Sequence, residues 1–179
     1  MYRTVFLLVA TCMLFVHSSG CTLTACPSKW TGFNGKCYRL FAAEHKQFDA
    51  AEIACQSAKL VDCQGNVLAS GHLASVHSQE EQNFLFEMFR STLHHTSSWN
   101  PQVYIGMKVG SQSNLQSWTD GSSVDYTSWF SGEPNNGPNS RGAIASGLHA
   151  SGQWADAYVN SKSNFPYICQ LPCTVYQFN

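Results

Sequence analysis

Charged side chains are scarce in this 179-residue chain, at 12%, and they nearly cancel to a formal net charge of -1. There is no basic run that could track a nucleic-acid backbone and no cationic stripe that would hold an anionic membrane. No repeat recurs at a solenoid period. No C-x-x-C pair or matching histidine spacing marks a zinc site, and no nucleophile elbow or triad spacing marks a hydrolase. Beyond residue 20 no apolar run is long enough to span a bilayer. Nucleic-acid binding, membrane insertion and enzymatic activity are therefore not expected. One local absence bears on everything below: no acidic residue lies between Glu133 and Asp156.

The first twenty residues have a different character. A single basic residue, Arg3, precedes an apolar run from Val5 to Val16, and small residues at Ser18 and Gly20 stand just before Cys21. That is the pattern of a secretory signal peptide, with cleavage expected between Gly20 and Cys21. A lipid anchor on Cys21 is the alternative, but Ser18 is not the aliphatic residue that such a signal wants. Release leaves one domain over 21–173, with its core at 26–169 and a short tail at 174–179, secreted to the extracellular space.

Seven cysteines follow the signal segment: Cys21, Cys26, Cys37, Cys55, Cys63, Cys169 and Cys173. In an exported chain they read as disulfides. Seven is odd, so one thiol is left over or joins a second chain.

Residues 26–41, "CPSKWTGFNGKCYRLF", place two cysteines around an Asn-Gly turn and predict a hairpin. Phe48, Ala51 and Cys55 recur at i, i+3 and i+7 and predict an amphipathic helix. A short strand through Leu73 and Val76 leads to Ser78, which forms a capping box with Glu81. Phe84 with Met88 and Leu85 with Phe89 then pair along the second helix. "QVYIGMKV" and "LQSWTDGSSVDYTSWF" predict short strands, Ser131 to Gln153 a long loop region, and "FPYICQL" a buried strand ending at Cys169. Trp118, Trp129 and Trp154 are expected in the core. His72 and His77 are not spaced as metal ligands, and His94 with His95 are expected in a solvated loop.

These segments resemble, in order, a C-type lectin domain of the long form, as in small secreted echinoderm lectins. The likeness rests on "CPSKWTGFNGKCYRLF", "HLASVHSQEEQNFL", "YIGM", "WTDGSSVDYTSW", "GEPNN", "WAD" and "FPYICQ". It implies an α+β fold of two helices flanking antiparallel sheets, with a long loop region and disulfide staples. The implied function is carbohydrate binding, to glycans or glycoproteins, with no catalysis. A lectin-like module that binds protein, mineral or another surface without calcium is the alternative.

The resemblance also implies residue roles. Glu133 and Asn135, around an expected cis-proline at Pro134, and Asp156 match calcium and sugar ligands, and Glu-Pro-Asn marks mannose-type sugars. Two ligand positions are lost, one to Ala155 and one falling near Arg141. Calcium takes six to eight oxygens, so it is expected to be held weakly or not at all. An accessory calcium site is not expected, because Lys108 and Val109 replace its usual Asn-Asp pair. The bridge that pins the family's long loop is missing, with Ala143 and Val159 in its regions. The implied bridges are Cys26–Cys37 and Cys55–Cys169, with Cys21–Cys173 a third pairing inferred from adjacent termini. That leaves Cys63 as the odd thiol, available for a disulfide-linked homodimer.

Overall fold

The computed structural model describes residues 26–62, 64–92, 101–110, 115–145, 152–159 and 164–173. The signal segment, Cys21, Cys63, His94, His95 and the tail at 174–179 lie outside the described residues.

Strands β1 (Thr31–Phe33) and β2 (Lys36–Lys46) form the expected hairpin. Its two turn residues, Asn34 and Gly35, both take positive φ, 44° and 74°, as the tight hairpin turn that matches strand twist requires. The Cys26–Cys37 disulfide closes it. Helix α1 (Phe48–Gln56) follows and buries Phe48, Ala51 and Cys55, the predicted stripe. Strands β3 (Lys59–Val61) and β4 (Val67–Ser70) make a separate small hairpin, and β5 (His72–Leu73) leads to helix α2 (Gln79–Arg90). Ser78 caps α2 by accepting from the Glu81 amide at 3.2 Å. The Glu81 side chain reaches back to the amide of His77, at 2.6 Å.

The chain then returns to the sheet through β6 (Gln102–Val109), β7 (Gln116–Trp118), β8 (Arg141–Ala145), β9 (Trp154–Ala157) and β10 (Phe165–Pro172). The strand order is β1-β2-β10-β6-β8-β9, with β5 added to β10 and β7 to β6. Every pairing is antiparallel except β10 with β6. The Cys55–Cys169 disulfide fastens α1 to β10.

Side chains alternate across this sheet and split the core in two. Val103, Ile105, Met107, Ile144, Trp154 and Ile168 face α2 residues Leu85 and Phe89. Tyr104, Ala143, Ala157, Tyr167 and Cys169 face α1 through Phe48, Ala51 and Cys55. Trp118 and Trp154 are buried and meet edge to face at 5.6 Å, with Trp129 against Trp154 at 5.5 Å. Trp118 and Trp154 are core, as expected, whereas Trp129 is partly buried and packs against them.

The structure corrects the sequence reading at two strands. The long loop region from 131 to 153 contains a buried strand, β8, whose small side chains in "GAIA" carry too little hydrophobicity to stand out. Gly142 is required there, since a Cβ would come within 2.7 Å of the Met107 Cβ. Strand β10 runs on to Pro172 rather than ending at Cys169, because it keeps register with β2 as far as Lys36. Cys173 carries a free thiol among the described residues; Cys21, and with it the expected Cys21–Cys173 pairing, lies outside them. Among the described residues, no helix is long and apolar enough to cross a membrane.

Candidate functional site

The segment 130–140 connects the tryptophan core to β8. It is tied at its start by Phe130 N to Trp154 O, 2.9 Å, and by Glu133 N to Phe130 O, 2.9 Å. The Glu133–Pro134 peptide bond is cis. At its end, Val109 N donates to Ser140 O at 3.0 Å, fixing where β8 begins.

The centre of the loop is Asp156, carried by β9 directly opposite Gly142. It is only 3% exposed. Its carboxylate accepts from the amide of Asn135 at 2.9 Å and from the amide of Asn136 at 3.0 Å. The Ser140 hydroxyl donates to Oδ2, and the Asn136 side chain donates to the Asp156 carbonyl. Both carboxylate oxygens are therefore occupied by donors of the loop itself. Asn135 Nδ2 donates to Glu133 Oε1 at 3.0 Å, which sets the two outer side chains against each other.

Two carboxyls this close interact strongly. Burial raises the Glu133 carboxyl above its usual range, and its hydrogen bond to Asp156 raises it further. Burial works against ionised Asp156 too, but there the hydrogen bonds from Glu133, Ser140, Asn135 and Asn136 prevail and hold it below the usual range. Of the pair, Glu133 therefore holds a proton more tightly and Asp156 less tightly than an isolated carboxyl.

The signs have a consequence for stability. The Glu133 contribution is present below its unfolded value of 4.5 and is lost as pH rises through the raised folded value. The Asp156 contribution is present above 3.8 and is lost as pH falls through the lowered folded value. Glu133→Gln, which keeps a permanent donor toward Asp156, should remove the loss on the alkaline side. Thermal melts of the metal-free protein at about pH 4.5 and about pH 7 check this; an unchanged pH slope in the variant contradicts it.

Glu133, Asn135 and Asp156 are therefore brought together, with Pro134 between the first two. The other two positions are not with them. Arg141 alternates to the opposite face of β8, its guanidinium 5.0 Å from the Phe48 ring centroid and 3.9 Å from Asp49 on α1. Ala155 stands across from Ala143 in the β8–β9 ladder. The side chain that reaches Asp156 is Ser140, the residue just before β8. The three remaining family positions carry five side-chain oxygens, against the six to eight that calcium takes, and both of those on Asp156 accept hydrogen bonds from the loop. The side chains alone leave this donor set short of a full calcium shell.

Sequence reasoning missed Asn136 and Ser140 as anchors of Asp156: Asn136 closes the "GEPNN" segment with no such role attached to it, and Ser140 belongs to no recognisable motif. It also missed a polar cluster around buried Ser75. Ser75 Oγ lies 3.0 Å from His77 Nε2, and His77 Nδ1 lies 2.7 Å from Asp125. This has the outline of a hydrolytic triad, but Ser75 is fully buried and its hydroxyl donates to Asp120 at 2.7 Å. The cluster is structural. His72 pairs with Glu52 at 2.7 Å.

A disulfide-stapled α+β domain with a cis-proline loop packed on a Trp-x-Asp strand is the architecture of a lectin-type recognition domain. The family profile "Lectin C-type domain" matches residues 44–171. Echinoidin of Heliocidaris crassispina is 33% identical over 152 residues, covering 82% of this chain and 97% of that protein. The alpha-N-acetylgalactosamine-specific lectin of Patiria pectinifera is 34% identical over 146 residues, covering 81% and 79%. The crystal structure of CEL-IV superposes with a TM-score of 0.77 at 60% identity, covering 87% of this chain and 99% of that one. The chain belongs to the C-type lectin domain family, whose members are carbohydrate-binding proteins rather than enzymes.

Proposed function

We propose that this is a secreted lectin that binds mannose-type glycans and glycoproteins through Glu133 and Asn135, with weakened or lost dependence on calcium. The observation that carries the reading is the saturation of Asp156 by loop donors. In this reading Asn135, Asn136 and Ser140 hold the loop in shape from within, the task a cation performs where more oxygen ligands are present. Glu133 and Asn135 remain at the surface as an acceptor and an amide with both donor and acceptor capacity. That pair suits two adjacent equatorial hydroxyls, each of which can donate and accept.

Calorimetry with calcium, followed by a glycan array with and without chelator, tests the proposal. Calcium should bind no more tightly than about 1 mM, the weak end for extracellular modules, and mannose-type signals should survive the chelator. Sub-millimolar calcium binding with chelator-sensitive sugar binding would overturn it. The array should include N-acetylgalactosamine, which the Patiria relative is named for. An array with no sugar signal would favour the second reading, a calcium-independent module for a protein or mineral surface, which the self-satisfied Asp156 also supports.

Secretion follows from removal of residues 1–20. A Cys63–Cys63 link between two copies would make the protein bivalent and raise avidity by about 10²–10⁴ where geometry allows. A dimer band on a non-reducing gel that collapses with reductant is the expected result, and a Cys21–Cys63 peptide within one chain would contradict it.

A further inference from the structure

The Cys173 thiol is not isolated. Its sulfur and those of Cys26 and Cys37 all lie within 4.8 Å of one another, although Cys26 and Cys37 are already joined. The sheet dictates this meeting. Cys37 stands opposite Leu171 in the β2–β10 ladder, so Cys173, two residues on, lies on the same side of the sheet. The Cys173 amide donates to Gly35 O at 2.8 Å, which holds it over the hairpin. Glycine at position 32 leaves Cys26 room: a Cβ there would sit 3.3 Å from its sulfur.

A thiol beside a disulfide is a nucleophile beside its electrophile. We propose that Cys26, Cys37 and Cys173 form an intramolecular exchange site that passes the free thiol from the end of β10 to Cys26. The Cys173 thiol gives its proton to water, and the thiolate attacks the Cys37 sulfur. The Cys37–Cys173 bond forms, the Cys26–Cys37 bond breaks, and Cys26 leaves as a thiolate that takes a proton from water. Each side of the reaction has one disulfide and one thiol, so no oxidant or reductant is consumed.

Burial sets the direction of attack. Cys37 is 2% exposed, whereas Cys26 is half-buried. Attack at Cys26 would expel a thiolate into the apolar surroundings of Leu60 and Leu171; attack at Cys37 expels one that water can reach. The two isomers differ in which end of the domain is held. With Cys26–Cys37 paired, the segment before Trp30 is tied to the hairpin. With Cys37–Cys173 paired, the end of β10 is tied and the Cys26 thiol is released.

The test alkylates the full secreted chain with iodoacetamide at about pH 6.5 and about pH 8.5, followed by non-reducing peptide mapping. Trypsin cuts after Lys29 and Lys36 and so separates Cys26 from Cys37. The expected result is label on Cys173 in molecules that have not exchanged and label on Cys26, with a linked Cys37–Cys173 peptide, in those that have, the second fraction growing over minutes to hours of incubation before alkylation. The Cys26 label should appear at least about tenfold faster at the higher pH, since the thiolate is the attacking species. Label confined to Cys173, or a Cys173 already joined to Cys21 or to another chain, overturns the proposal. Cys173→Ser, which leaves both bridges of the fold in place, should abolish the Cys26 label, and its persistence would be equally fatal.

Discussion

Replacing Glu81 with alanine should destabilise the domain by about 3–5 kcal/mol, the range for breaking a buried ion pair by removing one partner. Glu81 is 4% exposed. It accepts from Lys36 Nζ at 3.0 Å, from the amide of His77 at 2.6 Å and from the hydroxyl of buried Tyr38. Burial, reinforced by the bond to Glu81, pushes the Tyr38 phenol far above its usual range, so it stays a neutral donor at all ordinary pH. Alanine at 81 orphans that donor and an amide, and leaves the Lys36 ammonium only its longer bonds to Ser75 Oγ, 3.4 Å, and Gln170 Oε1, 3.5 Å. For a domain of this size the melting temperature should fall by roughly 6–20 °C. Glu81→Gln keeps an acceptor and should lose clearly less. A loss below about 1 kcal/mol in urea titration of Glu81→Ala would mean that water replaces these bonds.

Asp156→Ala should cost about 2–4 kcal/mol and remove sugar binding with it. The stability loss follows from leaving the amides of Asn135 and Asn136 and the hydroxyl of Ser140 without their acceptor, each a desolvated donor worth about 1–3 kcal/mol when orphaned, partly offset where water enters. Binding falls because the same bonds fix the backbone that presents Glu133 and Asn135; a loss of about 100-fold corresponds to about 2.7 kcal/mol. Ser140→Ala removes one bond of the set and should show a smaller loss of both quantities. Sugar affinity retained in Asp156→Ala, measured on any glycan that the parent protein binds, would show that the loop is held by something else.

Much of the fold was legible because local chemistry and global pairing agree. Asn34-Gly35 fits a tight turn, the Phe48-Ala51-Cys55 stripe fits one helix face, and Ser78 with Glu81 fits a helix start. Strand β8 was not legible, since glycine and alanine are selected there by close packing against Met107 and not by hydrophobicity. At the site, Glu133, Asn135 and Asp156 could be placed from a motif. The orientation of Arg141 could not. A shift of one residue along a strand reverses the face, and only the pairing of Gly142 with Asp156 shows that Ser140 points at the carboxylate while Arg141 covers Phe48. The buried acceptor role of Glu81 toward Tyr38 and Lys36 joins residues more than forty positions apart, which no local pattern encodes.

The β2–β10 pairing brings both ends of the described domain to one place, where Cys26 and Cys173 lie within 4.8 Å of each other at the sulfur. Asp156 sits on β9, three strands away from β10 in the sheet, a lateral offset of about 14 Å. In engineering terms the domain has a single attachment pole. It can be spliced into a loop of another protein, or tethered to a sensor surface through either end, with the Glu133–Asn135 loop left clear of the linker.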